Sequence, residues 1–307
     1  MAFLNALPGA IAEGLIWGLM AIGVYISYKI LDIADLTVDG SICTGACVCA
    51  VLIGAGWPVI PAVIAAFLAG LLTGVVTGVF PTALGLPAIL AGILTQLILY
   101  SVNLTILDSK SLATIDPRTN HLLLNISDNP SAIVVMVCTI AAVIIGLWLF
   151  FYTEIGLTLK STGDNPDMSR AQGVNVKRNK VVGLAISNGI VALAGALLAQ
   201  YKGSANINDG RGAIVIGLAA IFIGLSVSLK IKPNFVVSLI GVVGGGVIYY
   251  IVYNFVILLG LKTDFLKMLS AIIVAIFLAV PYLKTTYSKH KAVPPIAAAE
   301  AGGDMDA

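Results

Sequence analysis

Carboxylates recur in one short polar stretch of an otherwise apolar chain, SYKILDIADLTVDGS, which runs from Ser27 to Ser41. An ionised aspartate exposed to lipid at mid-depth costs about 2.5–3.5 kcal/mol on insertion scales. If the chain spans a bilayer, Asp32, Asp35 and Asp39 must therefore be buried in protein or line a cavity. Asp39 also precedes an apolar run, where a helix N-cap is expected. Capping a helix and lining a polar pathway are both open to these residues, and one role does not exclude the other.

The sequence carries no motif for nucleotide binding, catalysis or metal binding. The sequence contains no G-x-x-x-x-G-K-[ST] phosphate-binding loop and no HExxH, GxSxG or paired CxxC pattern. Cys43 and Cys47 would share one helix face, but no His, Asp or Glu is spaced to complete a metal site beside them. Small buried thiols also pack well as apolar side chains. We therefore expect no catalytic residue, no metal and no cofactor on this chain.

Composition indicates the class of protein. Of the 307 residues, 59% are hydrophobic and 10% are charged, whereas soluble domains carry about 25% charged residues. The charges cluster between apolar runs that approach the roughly 20 residues needed to cross a bilayer and that lack the alternation of a β-barrel. The sequence thus predicts an all-α, polytopic membrane protein, and its net charge of +2 gives no indication of a nucleic-acid partner.

Breaks between the apolar runs predict about nine transmembrane helices, some of them broken or half-length, in a transmembrane domain over residues 1–283. The expected spans are 11–30, 40–55, 59–80, 87–105, 131–152, 181–201, 213–229, 233–257 and 265–283. The run 40–55 is short for a full crossing. Polar residues 106–130 are expected to form an extracytoplasmic loop, and residues 284–307 a disordered cytoplasmic tail. Glycines 70, 74 and 78 form a stripe that permits close helix packing, within the chain or between subunits.

The distribution of basic residues predicts the orientation. If the charged segment from Ser161 to Lys180 is cytoplasmic, ten basic residues fall inside, at positions 160, 170, 177, 178, 180, 230, 232, 284, 289 and 291. Six then fall outside, at positions 110, 118, 202, 211, 262 and 267. The positive-inside rule favours this orientation, with the N-terminus outside and the C-terminus in the cytoplasm.

A second polar break, QYKGSANINDGRG from Gln200 to Gly212, is similar to the first. Both breaks follow a long apolar helix with a Tyr-Lys pair, and in both an apolar run resumes at Asp-Gly. Helices 11–30 and 181–201 cross in opposite directions in the expected topology, which predicts an inverted internal repeat, a plan common in transporters. Polar residues of the breaks and of nearby helices are candidates for a translocation pathway: Asp35, Asp39, Gln96, Asn188, Asn206, Asn208 and Asp209.

The charged segment carries the signals of a short helix. Asn165 is a favourable N-cap, Pro166 is well tolerated at the first helical position, and Asp167 complements the helix dipole. Gly173 is a natural stop, so the segment predicts about two helical turns from Pro166 to Gln172. A helix this short is marginal in water, and we expect it to dock against another surface.

The stretch GLTLKSTGDNPDMSRAQGVNV, from Gly156 to Val176, resembles the cytoplasmic coupling segment of ABC-importer permeases of the branched-chain amino acid and ribose family. The stretch DIADLTVDGSICTGA resembles the segment after the first helix in that family. The resemblance covers most of residues 11–283 and is closest in appearance to permeases for tryptophan- or tyrosine-like substrates. It implies a cytoplasmic coupling segment, 154–180, whose contacts with an ATPase come from Asn165, Pro166, Asp167, Met168, Arg170, Ala171 and Gly173.

The resemblance also implies a function and a set of partners. The chain would be the transmembrane permease subunit of an ATP-driven importer for a small solute, an amino acid, in the bacterial plasma membrane. A second permease copy would form a homodimer with it, a cytoplasmic ATPase dimer would bind ATP and Mg²⁺, and an extracytoplasmic solute-binding protein would deliver the substrate. The alternative is an ion-coupled secondary transporter in which Asp35 and Asp39 bind Na⁺ or H⁺. Such a carrier has no mechanical need for the charged segment.

Overall fold

Helices make up most of the computed structural model, which describes residues 2–115, 122–124, 126, 129–228, 234–258, 268, 271, 272 and 275. The α-helices of these ranges are α1 (Ala2–Tyr25), α2 (Val38–Gly54), α3 (Val59–Ala83), α4 (Ala88–Ile106), α5 (Asn129–Phe151), α6 (Glu154–Asp164), α7 (Pro166–Ala171), α8 (Val176–Lys202), α9 (Ala213–Ser228) and α10 (Phe235–Leu258). A π-helical turn, Ile26–Ile30, continues α1. Two short strands, β1 (Leu112–Thr114) and β2 (Ser204–Asn206), pair antiparallel.

Six of these helices, namely α1 with its π-turn, α3, α4, α5, α8 and α10, are long and apolar enough to cross a membrane. Helices α2 and α9 are apolar but shorter. The prediction of an all-α, polytopic membrane protein is confirmed, and the first eight expected spans each correspond to one of these helices. The expected span 265–283 is described only at isolated residues, and the expected tail 284–307 lies outside the described residues.

Helix α8 lies at the centre of the fold, where α1, α2 and α3 pack against it. Its first turn is capped by the Asn175 side chain, which accepts a hydrogen bond from Arg178 N at 3.1 Å. Its last turn ends at Gly203, whose φ of +67° suits a left-handed C-cap. Helix α8 starts at Val176, five residues before the predicted start of the span at 181, because Asn175 provides this cap.

The glycine stripe of α3 packs within the chain. A Cβ atom on Gly70 would lie 2.5 Å from Asn188 O, and one on Gly78 would lie 2.8 Å from Val181 Cα. A Cβ atom on Gly74 would overlap Leu184 O. The stripe was expected to pack either within the chain or between subunits, and the structure shows packing within the chain. Because glycine has no side chain, the α3 and α8 backbones can approach closely.

Side-chain contacts fix the relative directions of the helices around α8. Ser187 Oγ donates to Gly23 O at 2.8 Å, and Gly9 lies beside Tyr201, so α1 and α8 are antiparallel. Ser41 of α2 bonds Asn188, whereas Cys49 further along α2 contacts Gln200, so α2 runs parallel to α8. Helix α10 is antiparallel to both α1 and α9, which places α9 parallel to α1.

Two regions differ from the sequence-based expectation. The charged segment Ser161–Lys180 is not a separate insert, because its first residues end α6 and its basic end forms the first turns of α8. The sequence analysis did not predict α6. The expected loop 106–130 includes β1, which pairs with β2 of the second polar break, and residues 116–121, 125, 127 and 128 of this loop lie outside the described residues.

Candidate functional site

The first polar break, residues 31–37, holds a carboxylate in a closed environment. Asp35 is 3% exposed, and its Oδ1 accepts a hydrogen bond from Thr37 N at 2.9 Å. Its Oδ2 accepts from Asn188 Nδ2 of α8 at 2.7 Å. Asp32, by contrast, is exposed and adopts a φ of +54°, which lets the chain reverse direction before α2 begins.

Asn188 extends this contact into a buried polar network that joins α2, α3 and α8. Its Oδ1 accepts from Ser41 Oγ at 2.6 Å, and Ser41 Oγ is 2.8 Å from Thr73 Oγ1 of α3. All of these side chains are buried and hydrogen-bonded, as polar groups inside an apolar bundle must be to avoid an uncompensated desolvation cost. Asp35 and Asn188, both predicted to line a pathway, thus belong to a closed cluster in this conformation.

Asp39 caps a helix, although not the one that its sequence position suggested. Helix α2 begins at Val38, so Asp39 lies inside its first turn. Its Oδ2 accepts from Gly212 N and its Oδ1 from Ile214 N, both at 2.9 Å. The expectation that Asp39 caps its own helix is therefore wrong: it caps α9, whose first amides would otherwise lack acceptors.

The second polar break, residues 203–212, folds against the first turns of α2. Gly210 lies so close to Asp39 O that a Cβ atom there would overlap it. Cys43 Sγ accepts from Gly210 N at 3.1 Å and donates to Ile207 O at 3.3 Å. Cys43 therefore has a specific role in joining α2 to the second break, which apolar packing alone did not predict.

The predicted pathway residues of this second break bond mainly with one another. Asn206 Oδ1 accepts from Asn208 N at 2.8 Å, and Asp209 Oδ2 accepts from Asn206 N at 3.3 Å. Lys202 Nζ lies 3.7 Å from Asp209 Oδ1. Asp209 does not repeat the capping role of Asp39, because its carboxylate stabilises the turn itself.

A cavity of about 330 Å³ lies between α2, α4 and the second break. Its lining residues are Asp39, Gly40, Cys43, Gln96, Leu97, Tyr100, Asn103, Ile207 and Arg211. Two predicted pathway residues, Asp39 and Gln96, meet here, whereas Asn206, Asn208 and Asp209 are only sequence neighbours of the lining residues Ile207 and Arg211. The sequence analysis did not select Asn103 as a pathway residue; the signal available was its position as a polar residue within the apolar expected span 87–105.

At the opposite end of α8, the short helix α7 forms with the predicted capping signals. Asn165 Oδ1 accepts a hydrogen bond from Met168 N at 3.0 Å, Pro166 is the first helical residue, and Gly173 has a φ of +82°. The helix ends at Ala171, one residue before the predicted end at Gln172.

One face of α7 is attached to the chain, and the other is exposed. Ser169 is buried, and its single hydroxyl hydrogen is shared between Asn165 O at 2.9 Å and Ser161 Oγ of α6 at 3.2 Å. Met168 is 60% exposed, and Ala171 and Arg170 are exposed as well. The Arg170–Asp167 ion pair, 3.2 Å long, is also exposed and therefore adds little to stability.

Helix α7 is connected to the helical core through α6. Asn179 Nδ2 of α8 donates to Thr162 Oγ1 of α6 at 3.0 Å in a buried contact. Gly163 of α6 packs directly on Ile30 O at the end of the π-turn. Helix α7 is thus connected through α6 to α8 and to the end of the π-turn. Within the described ranges, no group of three or more His, Cys, Asp and Glu side chains is placed to hold a metal ion.

Comparisons with known proteins agree with this architecture. A family model described as "Branched-chain amino acid transport system / permease component" matches residues 8–281. The tyrosine transport system permease protein of Clostridioides difficile (strain R20291) is 35% identical over 295 residues, which cover 95% of this chain and 98% of that protein. An uncharacterized protein of Rickettsia prowazekii (strain Madrid E) is 33% identical over 278 residues, 90% of this chain and 98% of that protein.

The xylose transport system permease protein XylH of Haemophilus influenzae matches over a shorter region. The two proteins are 32% identical over 81 residues, which cover 26% of this chain and 22% of that protein. No solved structure shows significant similarity to the chain.

Membrane-length helices, interrupted by polar breaks beside a cavity, define a polytopic membrane protein, and the match to a transport-system permease family indicates the plasma membrane. The chain belongs to the family of branched-chain amino acid transport system permease components and is the permease component of an ABC transport system. As a permease subunit it is not catalytic, and its family implies an ATPase partner and usually a solute-binding protein.

Proposed function

We propose that the chain is the membrane-spanning subunit of an ATP-driven importer for an amino acid. The substrate class is supported by the name of the 35% identical relative, a tyrosine transport permease. ATP and Mg²⁺ bind to the ATPase partner, a second copy of the chain completes a homodimer, and a solute-binding protein delivers the amino acid from outside.

The observation that carries the proposed coupling is the two-sided character of α7. Its buried face attaches to α6 through Ser169, whereas Met168 and Arg170 are exposed for a partner. In the proposal α7 is the coupling helix and inserts into the ATPase, with Met168 and Ala171 in apolar contact and Asp167 and Arg170 in polar contact. Asn165, Pro166 and Gly173 set the start and the end of the helix. The coupling segment 154–180 is then cytoplasmic, the N-terminus lies outside and the C-terminus inside.

Movement of α7 is proposed to reach the translocation pathway through α8. Asn179 in the first turn of α8 contacts α6, and Asn188 further along the same helix contacts Asp35. Closure of the ATPase dimer would displace α8 and break or rebuild the Asp35–Asn188 contact. The pathway would then open past Asp39, Gln96, Asn206, Asn208 and Asp209.

The helix directions support an inverted repeat in this pathway. Helices α1 and α8 are antiparallel, each precedes a polar break, and each break leads into one of the shorter helices, α2 or α9. Helix α2 runs parallel to α8 and α9 runs parallel to α1, as a two-fold axis in the membrane plane requires. No contact of Asp35 or Asp39 specifically favours the ion-coupled alternative: Asp39 accepts from Gly212 N and Ile214 N, and Asp35 accepts from Thr37 N and Asn188 Nδ2.

A reconstituted complex of the chain with its ATPase and solute-binding protein tests the proposal. Amino acid uptake should require ATP and persist without an ion gradient. Arg170→Glu should abolish uptake, because it places a carboxylate beside Asp167 on the docking face, while Lys110→Glu at the other end of the molecule should leave uptake intact. Uptake that follows a Na⁺ or H⁺ gradient without ATP would refute the importer, and normal uptake by Arg170→Glu would refute the role of α7.

A further inference from the structure

The cavity between α2, α4 and the second break contains a buried polar atom without a partner. Asn103 is 1% exposed, and its Nδ2 lies 3.5 Å from Gly40 O, a group that can only accept. With Nδ2 facing this acceptor, Oδ1 is the amide atom left without a donor. Among the described residues, Asn103 Oδ1 accepts no hydrogen bond. A buried acceptor of this kind is costly unless a ligand or water supplies a donor.

Charges of both signs line the same cavity without pairing. Asp39 lies in the lining at the first turn of α2, and Arg211 lies there on the second break. No described carboxylate forms a salt bridge with Arg211. Asp39 accepts two backbone hydrogen bonds from α9, although a carboxylate offers about four acceptor positions. Among the described residues, Asn103 Oδ1 and the Asp39 carboxylate therefore have acceptor positions that are not used. The guanidinium group of Arg211 has donors that pair with no carboxylate.

The remaining walls suit an organic ligand of small size. Leu97 and Tyr100 give an apolar and aromatic surface on α4. A volume of about 330 Å³ is at the lower end of the range of small-molecule sites, about 300–1,000 Å³. The β1–β2 ribbon is joined to this region, since Ile207 N donates to Ser111 O at 3.2 Å. Asp39 and Gly40 directly precede Ser41, which bonds Asn188 in the middle of α8, so the cavity extends from the level of the middle of α8 towards the end of the molecule opposite α7.

We propose that this cavity is a binding site for the zwitterionic head of an α-amino acid within the permease itself. Asn103 Oδ1 and the Asp39 carboxylate accept from the ammonium group, and the Arg211 guanidinium donates to the carboxylate. Leu97 and Tyr100 contact the side chain. This inference rests on the proposed function and adds a selectivity site in the permease to the selection made by a solute-binding protein.

Equilibrium binding to the full chain in lipid nanodiscs, without a solute-binding protein, tests the site. Suitable probes are L-tyrosine, L-leucine, tyramine, which lacks the carboxylate, and 3-(4-hydroxyphenyl)propanoate, which lacks the ammonium group. The unaltered chain should bind L-tyrosine or L-leucine, and should bind the two truncated probes at least about tenfold more weakly than L-tyrosine, because each leaves a charged or buried polar group unpaired. If the unaltered chain binds neither L-tyrosine nor L-leucine, the proposed site is overturned.

Two pairs of variants identify the contacts. Arg211→Gln should remove the preference for L-tyrosine over tyramine, and Arg211→Lys should keep part of it. Asn103→Leu should remove the preference for L-tyrosine over 3-(4-hydroxyphenyl)propanoate. Asn103→Asp keeps an acceptor and should retain this preference. The aspartate variant provides a test even if the leucine variant does not fold. Lys110→Gln removes a positive charge outside the cavity. It should change neither the ratio of the affinities for L-tyrosine and tyramine nor the ratio for L-tyrosine and the propanoate.

Unchanged affinity ratios in both Arg211→Gln and Asn103→Leu would overturn the assignment of these contacts, and so would unchanged ratios in Arg211→Gln together with a lost preference in Asn103→Asp. ATP-driven uptake that persists with those unchanged ratios would refute the site and leave the importer standing. Absence of ATP-driven uptake in the unaltered complex would refute the importer instead.

Discussion

Asp35 and Asn188 lie 153 positions apart in the sequence and are joined by a buried hydrogen bond of 2.7 Å between Oδ2 and Nδ2. Asp35 belongs to the break after α1, and Asn188 belongs to the middle of α8. The bond therefore links the first polar break to the helix that begins beside α7. This contact gives the structure a polar connection between its proposed coupling end and its pathway.

Replacement of Asn188 by Leu should strongly destabilise the protein. It removes the donor to Asp35 and leaves a buried carboxylate oxygen unpaired, at an expected cost of about 2–4 kcal/mol in the free energy of unfolding. SDS titration of the purified protein measures this loss. The double variant Asp35→Leu with Asn188→Leu should recover much of it, because no unpaired carboxylate remains; additive losses in the double variant would contradict the pairing.

Removal of the Asp39 side chain should loosen the start of α9. Asp39→Ala leaves the amides of Gly212 and Ile214 without their acceptors, and loss of an N-cap costs about 1 kcal/mol. Hydrogen exchange in nanodiscs should show faster exchange at these amides. Asp209→Ala is the matched control, since its carboxylate bonds Asn206 N and should leave the α9 amides protected.

Two glycine substitutions should have opposite effects on stability. Gly74→Ala places a methyl group against Leu184 O, and the forced separation of α3 and α8 should cost about 1–3 kcal/mol. Gly146→Ala in α5 meets nothing within 4 Å and should be neutral or stabilising, by up to about 1 kcal/mol, because alanine favours the helix. Thermal unfolding in one detergent compares the two, and equal losses would show that α3 and α8 are not closely packed.

Loss of the α7 cap should impair coupling without unfolding the membrane domain. Asn165→Ala removes the acceptor for Met168 N, and a six-residue helix depends heavily on such a bond. Uptake per ATP hydrolysed should fall, while the melting temperature stays nearly unchanged. Asn165→Asp restores an acceptor and should restore coupling. A fall in both variants would point to the amide itself, rather than to the cap, as the group that the ATPase contacts.

Local signals allowed several elements to be predicted. The apolar runs predicted the six membrane-length helices of the described ranges and the two shorter apolar helices, α2 and α9, because a bilayer requires apolar helical segments of nearly fixed length. The Asn-Pro start and glycine stop predicted α7, because capping depends on residues within one turn. Helix α6 was missed, because within the coupling segment 154–180 helix signals were identified only from Asn165 onwards.

The sequence by itself determined the class of protein, its membrane helices, its two polar breaks and the capped helix α7, because each depends on short-range composition and backbone chemistry. Only the tertiary structure decided the partners of the polar residues. It placed Asp39 on the amides of α9, closed Asp35 against Asn188 and grouped Asn103 with Arg211 around one cavity. These pairings join residues more than 60 positions apart, and they depend on how close-packed helices bring their faces together, which no local pattern specifies.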